Sequence, residues 1–146
     1  MNDLRGAFRV LQVVNATTNT ITQNNTSTYA DTTLTASITP TATSSKVLVN
    51  VHHGGCGKVS GNATSYMFAR LLRGATELIV FEVGAGFNNV NGDNYFGGMG
   101  CTYLDSPATT SSTTYKTQIK NNPNAAGVIV QGGNAVSTIT LMEISA

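Results

Sequence analysis

Tryptophan is missing from this 146-residue chain, cysteine occurs twice, proline three times, and only 10% of the residues are charged. An average soluble domain carries about 25% charge. Eight Lys and Arg against seven Asp and Glu leave a net +1, so no bulk charge holds the protein on nucleic acid or on an anionic membrane surface. No apolar run approaches the ~20 residues of a membrane span. The opening residues Met1-Asn2-Asp3-Leu4-Arg5-Gly6 lack the basic and apolar regions of a signal peptide. Cys56 and Cys101 form no CxxC pair. Synthesis inside a cell would leave them reduced, as small buried hydrophobes; a disulfide and a reactive site stay open as alternatives.

What the chain does have is Thr (22), Asn (15) and Ser (11), together a third of its length. Val, Ile, Leu and Phe number 34, or 23%, just above the ~20% below which a highly charged chain is disordered. One domain with a small core is expected. The strand-favouring set Val, Ile, Thr, Tyr and Phe totals 52 against 34 for Ala, Glu, Lys, Leu and Arg, which points to an all-β fold.

Alternating apolar positions and turn residues predict a meander of short strands. Phe8–Val14 comes first, then a Thr-rich stretch over 15–33 that reads as an edge strand or surface connection. Leu34–Thr39 stops at Pro40, and Lys46–His53 puts Val47, Val49 and Val51 on one face. Gly54, Gly55, Gly57 and Gly61 read as a flexible turn. Tyr66–Arg73 and Glu77–Val83 read as a hairpin through Gly74. The glycines of Gly84–Gly100 suggest a long loop or bulged ribbon. Cys101–Leu104 with Thr114–Asn121, and Ala126–Gln131 with Ala135–Ser145, read as two further pairs. Eight to ten strands at this length fit an antiparallel β-sandwich, jelly-roll-like, with residues 1–9 as an N-terminal arm and 10–146 as the single sandwich domain.

Several strands are apolar on both faces: Val10-Leu11 with Val13-Val14, Val47-Leu48-Val49, and Leu78-Ile79-Val80-Phe81. A sheet with one wet face should alternate cleanly. The surplus needs cover, and self-association about a symmetry axis is the simplest source of it.

Chemical motifs are thin. His52 and His53 would point to opposite faces of a strand, so they do not share a metal ion with Cys56. Gly57-Lys58-Val59-Ser60 lacks the preceding Gly, the Ser or Thr after Lys, and the helix of a phosphate loop. The stretch from Gly84 to Asn89 lacks the third glycine of a dinucleotide fingerprint. The seven carboxylates are scattered, and Asp31, Asp93 and Asp105 lie beside turn residues where Asp caps its own backbone. Lys116, Gln118 and Lys120 read as a solvated strand face. The Asn-x-Thr/Ser matches at Asn15, Asn24, Asn25 and Asn62 are what chance gives in so Asn- and Thr-rich a chain. No catalytic, cofactor or metal site is predicted.

The runs from Thr28 to Pro40 and from Ser44 to Val49, with Leu71–Thr76, Tyr103–Pro107, Thr114–Lys116 and the closing Ser137–Ile144, resemble a module frequent in bacteriophage virion proteins, notably those of cyanophages and other marine phages. In their order these runs span most of the chain from Val10 onward; the Gly/Asn-rich segment from Asn88 to Gly100 departs from the pattern. The resemblance implies a β-sandwich of head-decoration or tail-fibre proteins, commonly trimeric, without enzymatic activity. The expectation is a homotrimer in the virion, made in the host bacterial cytoplasm, whose partners are the major capsid protein or other virion proteins. An opening Met, one small domain and no fibre shaft favour a capsid decoration (cement) protein. The alternative is a tail-fibre protein that reads a host glycan. Leu4, Arg5, Phe8 and Arg9 are the expected capsid contacts.

Overall fold

The computed structural model describes residues 8–59, 64–87, 89–122 and 126–146. Ten strands follow in order: β1 (Val10–Thr18), β2 (Thr22–Asn24), β3 (Ala30–Ile38), β4 (Lys46–Lys58), β5 (Tyr66–Arg73), β6 (Thr76–Ala85), β7 (Asn94–Asp105), β8 (Thr113–Asn122), β9 (Val128–Val130) and β10 (Ser137–Ile144). A 3-10 turn at Gly132–Asn134 precedes β10. Every pairing is antiparallel. One sheet runs β1-β10-β4, with β7 on the far side of β4 and the short β9 and β2 continuing from its C-terminal end; the other runs β3-β8-β5-β6. Counting only the eight long strands, the order is 1-8-3-6 facing 2-7-4-5, which is a jelly roll. The predicted all-β sandwich is therefore the fold.

The inner faces come from period-2 alternation. Leu34, Ala36 and Ile38 of β3, Val47, Val49 and Val51 of β4, Leu71, Tyr115, Ile139 and Leu141 form one buried cluster. Cys56, Met67, Ala69, Met99, Ile119, Val128 and Val130 form a second. Cys56 is buried in the second cluster and Cys101 packs half-buried against the first, both as free thiols. Burial pushes the Cys56 thiol up to about 12 and the Cys101 thiol up to about 11, which leaves both in the unreactive protonated form.

Two expectations need correction, and one pair of alternatives is decided. The glycines after His53 do not end a strand: β4 continues to Lys58 through Gly54, Gly55 and Gly57. Gly55 has φ +59, and a Cβ there would overlap the backbone of Gly132, so glycine admits the close approach of a neighbouring segment rather than a turn. Of the loop and the bulged ribbon expected after Gly84, the second is found over residues 94–100, where β7 pairs along β4 with register shifts between His53, Cys56 and Gly57. The two further predicted pairs are not hairpins either. β7 and β8 lie in different sheets, β9 pairs with β2 and β4, and β10 pairs with β1 and β4. Among the described strands only β5 and β6, joined at Gly74-Ala75, form the hairpin that was read from sequence.

Candidate assembly surface

The buried polar groups are spent on holding the two sheets together. His53 of β4 is fully buried. Its Nε2 lies 2.9 Å from the Thr117 hydroxyl of β8, which lies 2.6 Å from the Thr32 hydroxyl of β3. On the other side, Nδ1 is 3.1 Å from the Gln131 amide. We orient that amide with its oxygen toward His53 and Ser137, because its nitrogen then donates to the carbonyls of Thr20 and Val130 at 3.2 and 3.1 Å. This assigns the Nδ1–H tautomer to His53. Burial, and secondarily the charge of His52, lowers its pKa to about 4. His52 itself is exposed, so the expected division of the pair between opposite faces holds.

Asp105 is not a turn cap. Both its carboxylate oxygens accept from Arg73 Nη1, at 2.9 and 2.8 Å, and Tyr115 donates its hydroxyl to Oδ2 at 2.7 Å. Burial first, and the bond to Asp105 second, raise the Tyr115 pKa. Glu143 of β10 is fully buried as well. Burial alone would raise its carboxyl, but hydrogen bonds from Gln12, Ser45 and Thr41 outweigh that and hold it at about 2. Gln12 donates at 2.6 Å, and the Thr41 N–H and hydroxyl both donate at 2.7 Å. Each of these groups has its partners inside the sandwich. None faces a cleft with a second group poised for proton transfer.

The two outer surfaces differ in kind. On the β3-β8-β5-β6 sheet, Lys116 meets Asp31 at 2.8 Å and Arg70 meets Glu77 at 2.7 Å. Gln118 links them, donating to Asp31 at 2.6 Å and accepting from Arg70 Nε at 2.8 Å. The Arg70 guanidinium lies 3.9 Å from the Tyr29 ring centroid, and Lys120 lies over both Tyr29 and Phe68. This face satisfies its own charges, and its exposed apolar side chains, Val80 and Val83, stand on the edge strand β6. Its ion pairs are exposed enough to contribute little. Glu77→Gln is accordingly expected to shift stability by no more than about 0.5 kcal/mol in urea denaturation, and a loss several times larger would make the network a structural element.

The outer surface of the β1-β10-β4-β7 sheet is different. Strand register lines up Val13 with Met142, Met142 with Leu48, and Leu48 with Leu104. These four outward side chains form one apolar row across all four strands, with Val13 56% and Leu104 50% exposed. Leu11, 46% exposed, and Ile144 extend it at the β1 edge. The next rung is Asn15, Thr140, Asn50 and Thr102, and the one after is Thr17, Thr138, His52 and Gly100. A fourth rung, at the other end, pairs Ile144 with Lys46, the only fully charged side chain in these rungs, which donates to Ser106 at 3.1 Å. No carboxylate stands among them.

Of the expected capsid contacts, Leu4 and Arg5 lie outside the described residues. Phe8 is 71% exposed where the chain enters β1. The main chain of Arg9 is tied to the C-terminus, its N–H donating to Ser145 Oγ at 2.8 Å and its carbonyl accepting from Ser145 N at 2.9 Å. Phe8 and Arg9 thus lie at the β1 edge of the sheet that carries the apolar row.

No protein-family model matches the chain, and no curated protein matches it. Solved structures similar to the chain include the T=1 particles derived from infectious bursal virus (13% identity, TM-score 0.48), the VP2 subviral particle of infectious bursal disease virus (13%, 0.46), and the Gx strain of that virus (14%, 0.46). Each covers 95% of this chain, which spans only 38%, 40% and 37% of theirs. Among the described residues no helix is long and apolar enough to cross a membrane.

Proposed function

We propose that this protein is a non-enzymatic structural component of a bacteriophage virion, a decoration (cement) protein that binds the capsid shell as a trimer and stabilises it. The observation that carries the reading is the outer surface of the β1-β10-β4-β7 sheet, an uncharged face whose apolar row a lone copy leaves in water. Contiguous exposed apolar surface marks contact with another macromolecule. The jelly roll supports the reading, as do the sequence runs that resemble phage virion modules.

In this proposal residues 10–146 form the sandwich and residues 1–9 the arm that reaches the shell, with Leu4, Arg5, Phe8 and Arg9 as its contacts. The exposure of Phe8 supports the arm, and repeated attachment through several arms of one oligomer lets modest contacts add up. The partners are the major capsid protein or other virion proteins, with no nucleic acid, membrane or cofactor. The second reading is a tail-fibre protein that contacts a host glycan. It is favoured by Phe87, 58% exposed and set edge-on against Tyr66 at 6.0 Å.

Copy number in purified particles tests the proposal. Quantitative mass spectrometry against the major capsid protein is expected to give hundreds of copies per particle. A handful of copies would favour the tail, and absence from particles would overturn both readings.

A further inference from the structure

We propose that identical copies of this chain contact one another through the outer face of the β1-β10-β4-β7 sheet, with Val13, Met142, Leu48 and Leu104 at the centre of the contact. The inference rests on the self-assembling reading above and names the surface that performs it.

Three observations select this face and a second copy as its occupant. The first is charge. When identical faces meet about a symmetry axis, each charge tends to approach its own kind, and like charges in contact are costly. A face whose rungs hold one lysine at the margin and no carboxylate meets its own copy without that cost. The β3-β8-β5-β6 surface, with Asp31, Lys116, Arg70 and Glu77 already paired, would have to break those pairs or bury them. Depletion of charge at the centre with polar groups around it is also how interface cores differ from the remaining surface.

The second observation is size. Four strands at about 4.8 Å spacing and four rungs at about 6.7 Å give a face on the order of 500 Å². Two such faces in contact bury about 1,000 Å², the lower bound for a specific association. The third is pattern. The apolar row runs perpendicular to the strands, so sheets packed with their strands alongside the symmetry axis stack it as one apolar layer. The Asn15, Thr140, Asn50 and Thr102 rung becomes the next layer, whose amides and hydroxyls both donate and accept. Asn15 Nδ2 already donates to Thr140 Oγ1 at 2.8 Å, so this polar layer is held in position on each copy before contact.

The test is the solution mass of the full chain by size-exclusion chromatography with light scattering, for wild type and for the double variant Val13→Lys/Leu104→Lys. Both positions are half-exposed, so the folded monomer tolerates lysine, and a circular-dichroism melt checks that it does. Wild type is expected at the mass of two or more 15.2 kDa chains. The double variant is expected at one copy, its self-association weakened by roughly a hundredfold or more because lysines would be buried unpaired. Val83→Lys, on the exposed part of β6, should keep the wild-type mass. A monomeric wild type at tens of micromolar, a folded double variant that keeps the oligomeric mass, or a loss of mass from Val83→Lys alone would each overturn the assignment. Particle copy number is a separate measurement, so a failed face and a failed virion role remain distinguishable.

Discussion

Acidification is expected to unfold this protein in two steps of linkage, the first set by His53 and the second by Glu143. The His53 imidazole titrates at about 4 in the folded protein against 6.5 when exposed. Its pKa is depressed, so between pH 6.5 and 4 the unfolded chain takes up a proton that the native state refuses. Stability therefore falls as pH falls through that window, by about 3 kcal/mol in total, and this contribution is fully present only above pH 6.5. Glu143, held at about 2 against 4.5, adds a loss of about 3 kcal/mol between pH 4.5 and 2. Together these losses rival the whole stability of an ordinary domain. Urea denaturation at pH 7, 5.5 and 4 should show wild type losing about 3 kcal/mol across the first window, while His53→Gln, whatever its stability at pH 7, stays nearly flat there. Parallel pH curves for the two proteins would remove His53 from the account and leave the carboxylates alone responsible.

The same residue shows what can be read from a sequence and what cannot. That His52 and His53 face opposite ways follows from the two-residue period of a strand, a local rule. That His53 meets Thr117 and Gln131, and reaches Thr32 through Thr117, depends on residues 64, 78 and 21 positions away, which local pattern does not bring together. The β5-β6 hairpin was legible because its strands are neighbours joined at Gly74, whereas β7 with β8, and β9 with β10, looked like hairpins for the same reason and are not. A jelly roll sends most consecutive strands to opposite sheets, so proximity in sequence misleads wherever the connection crosses the sandwich.

Glycine misled in a similar way. Gly54, Gly55 and Gly57 read as a turn because turns are the commonest use of clustered glycines. Here Gly54 and Gly55 pass hard against residues 132–136 and Gly57 against Asn94 and Tyr95, and the missing side chains make room for the neighbouring backbone. The surplus apolar residues were visible strand by strand, and their double-sided pattern was the strongest sequence signal for assembly. Of them Val13 and Leu48 join the row, while Leu78–Phe81 lie on β6 of the opposite sheet; the row itself was not visible, since it requires the registers of three separate pairings to place Val13, Met142, Leu48 and Leu104 side by side.

Asp105 carries the second large effect. Asp105→Ala is expected to cost about 3 kcal/mol, or roughly 6–12 °C in melting temperature for a chain of this size. Its carboxylate, with 7% of the side chain exposed, sits between the Arg73 guanidinium and the Tyr115 hydroxyl. Truncation strands both donors. Arg73, with 29% of its side chain exposed, can turn to water and recover part of the loss, which keeps the cost at the low end for a broken buried pair. Tyr115 cannot, because it is fully enclosed between the sheets, and its unsatisfied hydroxyl accounts for the remainder. Tyr115→Phe removes that hydroxyl and leaves the ion pair in place, so it should cost only about 1.5 kcal/mol. In the double variant no stranded hydroxyl is left, and its loss should fall short of the sum of the single losses by about 1 kcal/mol. Thermal and urea melts of the three variants complete this cycle. Additive losses would mean that Asp105 and Tyr115 act independently, and that the carboxylate's role is confined to Arg73 at the sandwich rim.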